Sequence, residues 1–121
     1  SKTKEYLENT DYLKDLGFNI NSKGFIIWNT ALMLYTKGKT MLPKYTMQDL
    51  YKELAELYFV SPRNIENMMT TALKPAKENI QKEYNFNGKV TNKSFLNLYY
   101  MEGWKIWSYL VKKANITIQI V

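Results

Sequence analysis

The stretch TMQDLYKELAELYFVSPRNIENMMTTAL, residues 46–73, decides the fold because it holds two helical patterns separated by a short break. Thr46 followed three residues later by Asp49 is a capping-box pattern, which predicts the start of the first helix. Ser61-Pro62 predicts the start of the second, since serine accepts an N-terminal amide and proline needs no donor there. The break falls at Phe59-Val60. The predicted apolar faces are Leu50, Leu54, Leu57 and Tyr58 in the first helix, and Ile65, Met68, Met69, Ala72 and Leu73 in the second.

The rest of the chain is also helical in pattern. The other predicted helices are Thr3–Leu16 ending at Gly17, Ser22–Lys37 ending at Gly38, Ala76–Tyr84 and Asn92–Lys113, with Pro75 ending or kinking the helix before it and a loop over Asn85–Val90. Their predicted inward residues are Phe25, Trp28, Leu32 and Tyr35 in one helix and Phe95, Leu98, Tyr99, Ile106, Tyr109 and Leu110 in the last. The final residues NITIQIV alternate and predict a short strand or extended arm. We therefore expect one all-α domain over residues 1–121, with about six helices and an extended C-terminal tail.

The composition limits the partners. The chain has 121 residues, 45% of them apolar and 15% aromatic, which is enough to build the core of one domain. The net charge of +6 favours a polyanionic partner, either nucleic acid or anionic lipid. A lysine-rich surface with no specific partner is the other interpretation of the same charge.

Several classes of site are excluded or lack their usual residues. The chain contains no cysteine and no histidine, so it has no disulfide, no thiolate metal site and no histidine base. It also has no glycine-rich phosphate loop and no clustered carboxylates. We therefore expect no enzyme, cofactor, metal or small-molecule substrate. With no apolar run of about 18 residues and no signal peptide, we expect no membrane partner and a cytoplasmic location.

The two central helices have the residue pattern of a helix-turn-helix. The small residue Ala55 lies inside the first helix, where the second would cross closely. Val60 is placed to fill the turn, and Ile65 to pack the second helix back onto the first. Phe59 occupies the turn position where glycine is usual. An ordinary helical hairpin in an all-α core is the alternative interpretation of this pattern.

The outward face of the second helix carries short polar side chains rather than the lysine and glutamate of the other predicted surfaces. These side chains match the hydrogen-bonding and methyl groups that bases present in the major groove. The candidate base-reading residues are Asn64, Glu66, Asn67, Thr70 and Thr71. The candidate phosphate contacts are Lys23, Lys44, Ser61, Arg63 and Lys74. A plain solvated face is the alternative.

Three motifs resemble the DNA-binding effector domain of the master sporulation response regulator of spore-forming bacteria. LYKELAELY resembles the family's LYPxIAxxF, LGFNINSKGFIIWNTAL resembles LGxPxxxKGYxYLxxAI, and VTNKSFL resembles PTNxEFI. They lie in the family's order between about residues 16 and 103, and residues 104–121 extend beyond the pattern. The resemblance implies a six-helix domain that binds specific duplex DNA, often as a dimer on tandem sites, and regulates transcription. A homodimer on DNA and RNA polymerase are the partners that such a function implies.

The chain departs from the family on the recognition helix. Glu66 matches the glutamate of the family's SRVERAIRH segment. Asn64 and Asn67 stand where the family has arginines, and Thr70 and Thr71 stand where it has Arg-His. We therefore expect a different, more A·T-rich target, or weaker binding that rests on phosphates. The family's receiver domain has no counterpart before Thr10, so we expect either the effector part of a longer protein or a protein without the phosphorylation switch.

A protein-interaction module of the same fold, without specific DNA binding, is the alternative function. The missing arginines, Pro75 and the aromatic final helix favour it. We expect Trp104 and Trp107 to lie in the core or, as the second choice, on a dimer surface, and an apolar patch at these two residues would favour the interaction module.

Overall fold

The computed structural model describes the backbone of residues 2–103 and the side chains of residues 9–103. Within this part the chain is α-helical and contains no β-strand, which confirms the predicted all-α class. The helices are α1 (Lys2–Asp15), α2 (Lys23–Met41), α3 (Met47–Tyr58), α4 (Pro62–Leu73) and α5 (Lys77–Glu83), and a single 3-10 turn (Lys74–Ala76) joins α4 to α5. Residues 92–103 are also helical and are called α6.

The number of helices in the structure is close to the predicted number of about six. Five helices lie wholly within the described residues, and α6 begins at the predicted residue, Asn92. The rest of that predicted helix, the extended tail and both Trp104 and Trp107 lie outside the described residues.

The helix starts follow the local sequence. The backbone N–H of Asp49 donates to the Thr46 hydroxyl at 3.2 Å, and the Thr46 N–H donates to the Asp49 carboxylate at 2.9 Å, so the predicted capping box is confirmed. The Ser61 hydroxyl accepts from the N–H of Asn64 at 3.1 Å, and Pro62 is the first residue of α4. The α-helical geometry of α4 ends at Leu73, two residues before the proline that cannot donate within it.

The two glycines predicted to end helices behave differently. Gly17 follows α1 with a φ of +96°, a left-handed conformation that glycine adopts without steric cost, so this prediction is confirmed. The prediction for Gly38 is wrong, because α2 continues to Met41. A Cβ at Gly38 would lie 2.7 Å from the ring of Tyr45, so this glycine instead makes room for an aromatic side chain packed on the helix.

The core lies between α2, α3, α4 and α6. Trp28 is fully buried, and its ring meets those of Phe18 and Phe95 with centroids 5.5 Å and 5.3 Å away. The predicted inward residues of α2 and Ile65, Met69, Ala72, Leu73 and Phe95 are all buried. Met68, Leu98 and Tyr99 are only partly buried. The prediction for Leu57 is wrong, since its side chain is 56% exposed and Tyr51 is buried on α3 in its place.

The first turn of α2 crosses α4 at very short range. A Cβ at Gly24 would lie 2.2 Å from the carbonyl oxygen of Met68 and 2.8 Å from the Cβ of Ala72. Only glycine permits this approach, and it brings the N-terminus of α2, with Lys23, beside α4.

Candidate nucleic-acid interface

Helices α3 and α4 pack against each other across a three-residue turn, residues 59–61. Ala55 and Ile65 are buried, and Val60 packs against the core, in the places that a close helix pair requires. Phe59 has a φ of 58°, so the left-handed conformation in this turn is adopted by a residue other than glycine. Its side chain is 93% exposed. This geometry leaves the outer face of α4 open along its whole length.

The outer face of α4 carries every polar residue that the helical spacing predicted. All seven side chains are exposed: Arg63, Asn64, Glu66, Asn67, Thr70, Thr71 and Lys74. The hydroxyls of Thr70 and Thr71 donate back to the carbonyls of Glu66 and Asn67 at 2.8 Å and 2.9 Å. The side-chain ends of Arg63, Asn64, Glu66 and Asn67 make no hydrogen bond or ion pair with another described residue, so they remain available to a ligand.

A groove runs along one side of α4. One part, about 410 Å³, lies between α3, α4 and the segment that leads into α6, and a second part, about 570 Å³, continues to the N-terminus of α4. Both parts are lined by Gln48, Tyr51 and Glu66, so they form one continuous depression, the α4 groove. Of the predicted site residues, the α4 groove is lined by Ser61, Arg63, Glu66, Asn67 and Thr70. Asn64 and Thr71 are exposed on α4, and Lys74 is exposed at its C-cap, but these three residues do not line the groove.

Lysines border α4 on both sides. Lys77, Lys89 and Lys93 line the α4 groove on the side of α6. Lys23 lies on the side of α2, where the neighbouring Gly24 touches the backbone of Met68. Among the predicted phosphate contacts Lys44 lies in the turn between α2 and α3, two residues before the N-cap of α3. The lysines that flank the polar face are Lys23, Lys77, Lys89 and Lys93, and they come from three separate parts of the chain, which are α2, α5 and the region where α6 begins.

The sequence did not identify the contribution of α6. Gln48, Tyr51, Lys89, Asn92 and Lys93 line the α4 groove, yet none was a predicted site residue. The only sequence signal was the helix start in VTNKSFL, where Thr91 and Ser94 now form a reciprocal cap with bonds of 2.8 Å and 3.1 Å. The helix start predicts that a helix begins here, but it does not indicate which other helix this one packs against.

Asn92 joins three helices at the floor of the α4 groove. Its side-chain NH₂ lies 3.1 Å from the Thr70 hydroxyl, 3.5 Å from the Glu66 carbonyl and 3.3 Å from the Tyr51 hydroxyl. Burial raises the pKa of Tyr51 above its ordinary value, and the hydrogen bond from Asn92 lowers it in part. Tyr51 therefore stays neutral at physiological pH and adds no negative charge to the groove.

Two further tyrosines in the described part of the chain form no comparable polar site. Burial raises the pKa of both Tyr12 and Tyr84, whose hydroxyls bond to each other, so these phenols stay protonated. Within residues 9–103 no three acidic side chains are grouped so that they could hold a metal ion. No helix in the described part of the chain is both long and apolar enough to cross a membrane.

Comparison of the chain with protein-family models, with curated proteins and with solved structures finds no match.

Proposed function

We propose that the chain is a sequence-reading, double-stranded DNA-binding regulator of transcription. In this proposal α3 and α4 act as a helix-turn-helix, and α4 enters the major groove. The observation that carries the proposal is the outer face of α4, where hydrogen-bonding side chains with free ends lie between lysines on both sides. Regulation of transcription in the cytoplasm, homodimer formation on DNA and contact with RNA polymerase would follow from the resemblance to the sporulation effector domain.

The chemistry of the α4 face supports reading of base edges. Asn64 and Asn67 can each pair bidentately with adenine, Arg63 with guanine, and Glu66 with the amino group of cytosine. The helix has 12 residues, and at about 1.5 Å per residue it is roughly 18 Å long, so its exposed face can span several base pairs.

The charges beside α4 support binding to phosphates. A helix in the major groove has one phosphate backbone on each side, and here Lys23 lies on one side and Lys89 and Lys93 on the other. Within the described residues none of these three lysines has an ion-pair partner, so their charge is available for an external anion. The Glu66 carboxylate is the one negative group on the face, and it disfavours duplexes that place a phosphate or a base acceptor there.

A protein-interaction module is the second candidate function, and a different observation favours it. Phe59 is 93% exposed and Leu57 is 56% exposed, and both lie at the end of α3. Two large apolar side chains, two residues apart in the chain, are thus exposed at one end of the helix, and exposed apolar side chains grouped on a surface are typical of protein interfaces. A protein partner would bind at this end of α3 and would not need the polar face of α4.

Fluorescence anisotropy titration separates the two functions. The probes are a duplex with the tandem box of the sporulation family, a scrambled duplex and an A·T-rich duplex, each at several salt concentrations. The matched variants are Asn67→Ala on α4 and Asn87→Ala in the exposed loop before α6. We expect one duplex to be preferred by about 10³-fold, and Asn67→Ala to reduce that preference by roughly 5–150-fold while Asn87→Ala does not.

Two outcomes would contradict the proposal. If all duplexes bind equally and added salt abolishes the binding, then α4 makes only phosphate contacts. Absence of binding even at low salt would leave the protein-interaction module.

A further inference from the structure

Asn92 is a buried polar residue that bonds to α4, the helix of the proposed reading face. Its side chain is 7% exposed, and it is the first residue of α6. Its NH₂ group has two hydrogens and faces three acceptors, two of them on successive turns of α4 and one, the Tyr51 hydroxyl, on α3. A single side chain therefore fixes the separation of α3, α4 and α6 at the α4 groove.

The hydroxyl of Thr70 both donates and accepts a hydrogen bond within the protein. Its hydrogen is donated to the Glu66 carbonyl at 2.8 Å, and its oxygen accepts from Asn92 at 3.1 Å. Thr71 differs, because its hydroxyl donates to the Asn67 carbonyl and accepts nothing from another described residue. Of the two threonines, Thr70 is thus bonded to α6 as well as to its own helix, and it has no hydrogen left to donate to a base.

A buried asparagine destabilises the fold at this position unless the hydrogen bonds of its NH₂ group compensate. The Asn92 side-chain oxygen is buried and has no hydrogen-bond partner within the described residues. A leucine has the same number of side-chain heavy atoms with the same branching, and it would replace the amide without an unpaired acceptor. The hydrogen bonds from its NH₂ group to Glu66 and Thr70 of α4 therefore explain why an amide side chain occupies this position.

We infer that Asn92 is a positioning residue for sequence reading, which holds the middle of α4 through Thr70 so that Glu66 and Asn67 meet the bases in a fixed register. This inference rests on the proposed DNA binding. Thr70 acts with Asn92 as a support and donates no hydrogen bond to a base. Loss of either residue lowers discrimination between duplexes, while binding to phosphates is kept.

A double-mutant cycle on duplex preference tests this inference. A duplex selected by the wild type from a randomised pool is compared with its scrambled form, for the wild type, Asn92→Leu, Thr70→Val and the double variant. The ratio of the two dissociation constants is the readout, because a partly unfolded sample weakens both constants equally. Asn9→Leu is the matched control, since Asn9 is also buried, at 6% exposed, but bonds to Tyr99 and lies on α1.

We expect each single variant to lower the preference by roughly 5–10-fold, the value of about one hydrogen bond, and the double variant to lose no more than either single variant. Asn9→Leu should leave the preference unchanged. A full preference in Asn92→Leu, or losses that multiply in the double variant, would overturn the positioning role and leave the proposed function intact. A wild type that selects no duplex from the pool would overturn both.

Discussion

The indole N–H of Trp28 donates a hydrogen bond of 2.8 Å to the backbone carbonyl of Met69 at a fully buried position. Trp28 lies on α2 and Met69 on the inner face of α4, so this bond ties the two helices together directly behind the exposed polar face. Together with the close approach at Gly24, it fixes α4 to α2 at two neighbouring points. The orientation of α4 therefore depends on α2 as well as on its hairpin partner α3.

Replacement of Trp28 by phenylalanine is expected to destabilise the fold by roughly 2–4 kcal/mol. The variant loses one buried hydrogen bond and leaves a cavity between Phe18 and Phe95, which pack edge-on to the indole. Denaturant unfolding followed by circular dichroism measures the change. Tyr58→Phe is a useful comparison, since it removes only a half-buried hydroxyl that bonds to Thr30, and its loss should be about 1 kcal/mol. Equal losses of unfolding free energy in the two variants would contradict a larger contribution of Trp28 to stability.

Gly24→Ala is expected to destabilise the protein more than any other glycine-to-alanine change in α2 or α6. The added methyl group would lie 2.2 Å from the Met68 carbonyl oxygen, which belongs to backbone and cannot rotate away. We expect a loss of about 3 kcal/mol or more, as for other changes that overfill a tight contact. Gly103→Ala is the matched control, because no atom of the described residues lies within 4 Å of the position that its added methyl group would take and alanine favours a helix, so its stability should be unchanged or higher by up to about 1 kcal/mol. Thermal unfolding of both variants gives the comparison, and similar melting temperatures would contradict the close crossing.

Local features of this fold could be predicted from the sequence because their causes lie within a few residues. The caps at Thr46 and Ser61 and the left-handed glycine after α1 need only their immediate neighbours. Gly38 shows the limit of that reasoning. It has the same sequence signal as Gly17, but the ring of Tyr45, seven residues later, folds back onto it and the helix continues.

The candidate site also has a part that could be predicted from the sequence and a part that could not. The exposed residues of α4 follow from helical spacing alone, so all of them could be named from the sequence. Lys89, Asn92 and Lys93 could not, because they follow α4 by about 20 residues and reach it only through the packing of α6 on α4. The lysines of the sequence are too numerous for charge alone to distinguish these from the others.

Phe59→Gly is expected to stabilise the protein although it removes a large side chain. Phe59 has a φ of 58°, a conformation that costs a residue with a Cβ about 1 kcal/mol, and its 93% exposed ring loses almost no burial on replacement. We expect a gain of roughly 0.5–1 kcal/mol in urea unfolding. Phe59→Ala keeps the Cβ and should change the stability little, so it separates relief of the backbone from loss of the ring. A destabilised Phe59→Gly would show that the ring makes contacts that the fold requires.

The capping carboxylate of Asp49 makes the stability of α3 depend on pH. Hydrogen bonds from the backbone N–H and hydroxyl of Thr46 hold the pKa of Asp49 below its ordinary value of 3.8. Because the folded protein binds this proton less readily than the unfolded chain, the stabilisation is present above the ordinary pKa and is lost as the pH falls through the lowered folded value. The difference in unfolding free energy between wild type and Asp49→Ala should therefore be largest near neutral pH and shrink below about pH 4. Asp49→Asn, which keeps an oxygen acceptor but no charge, should differ from Asp49→Ala by an amount that does not change with pH, and a pH-dependent difference there would point to another carboxylate.

The lysines beside α6 provide the sharpest test of how α4 meets DNA. If Lys89 and Lys93 each neutralise one phosphate, Lys89→Gln and Lys93→Gln should each reduce the slope of log K against log salt by about 1, and the double variant by about 2. Lys82→Gln is the control, because Lys82 is equally exposed on α5 but does not line the α4 groove and pairs with Glu78 at 3.7 Å. The preference for one duplex over its scrambled form should stay unchanged in all four variants, since phosphate contacts carry no sequence information. An equal fall in slope for Lys82→Gln would mean that the whole basic surface attracts DNA without a defined site, and an unchanged slope for Lys89→Gln and Lys93→Gln would place the phosphates away from α6.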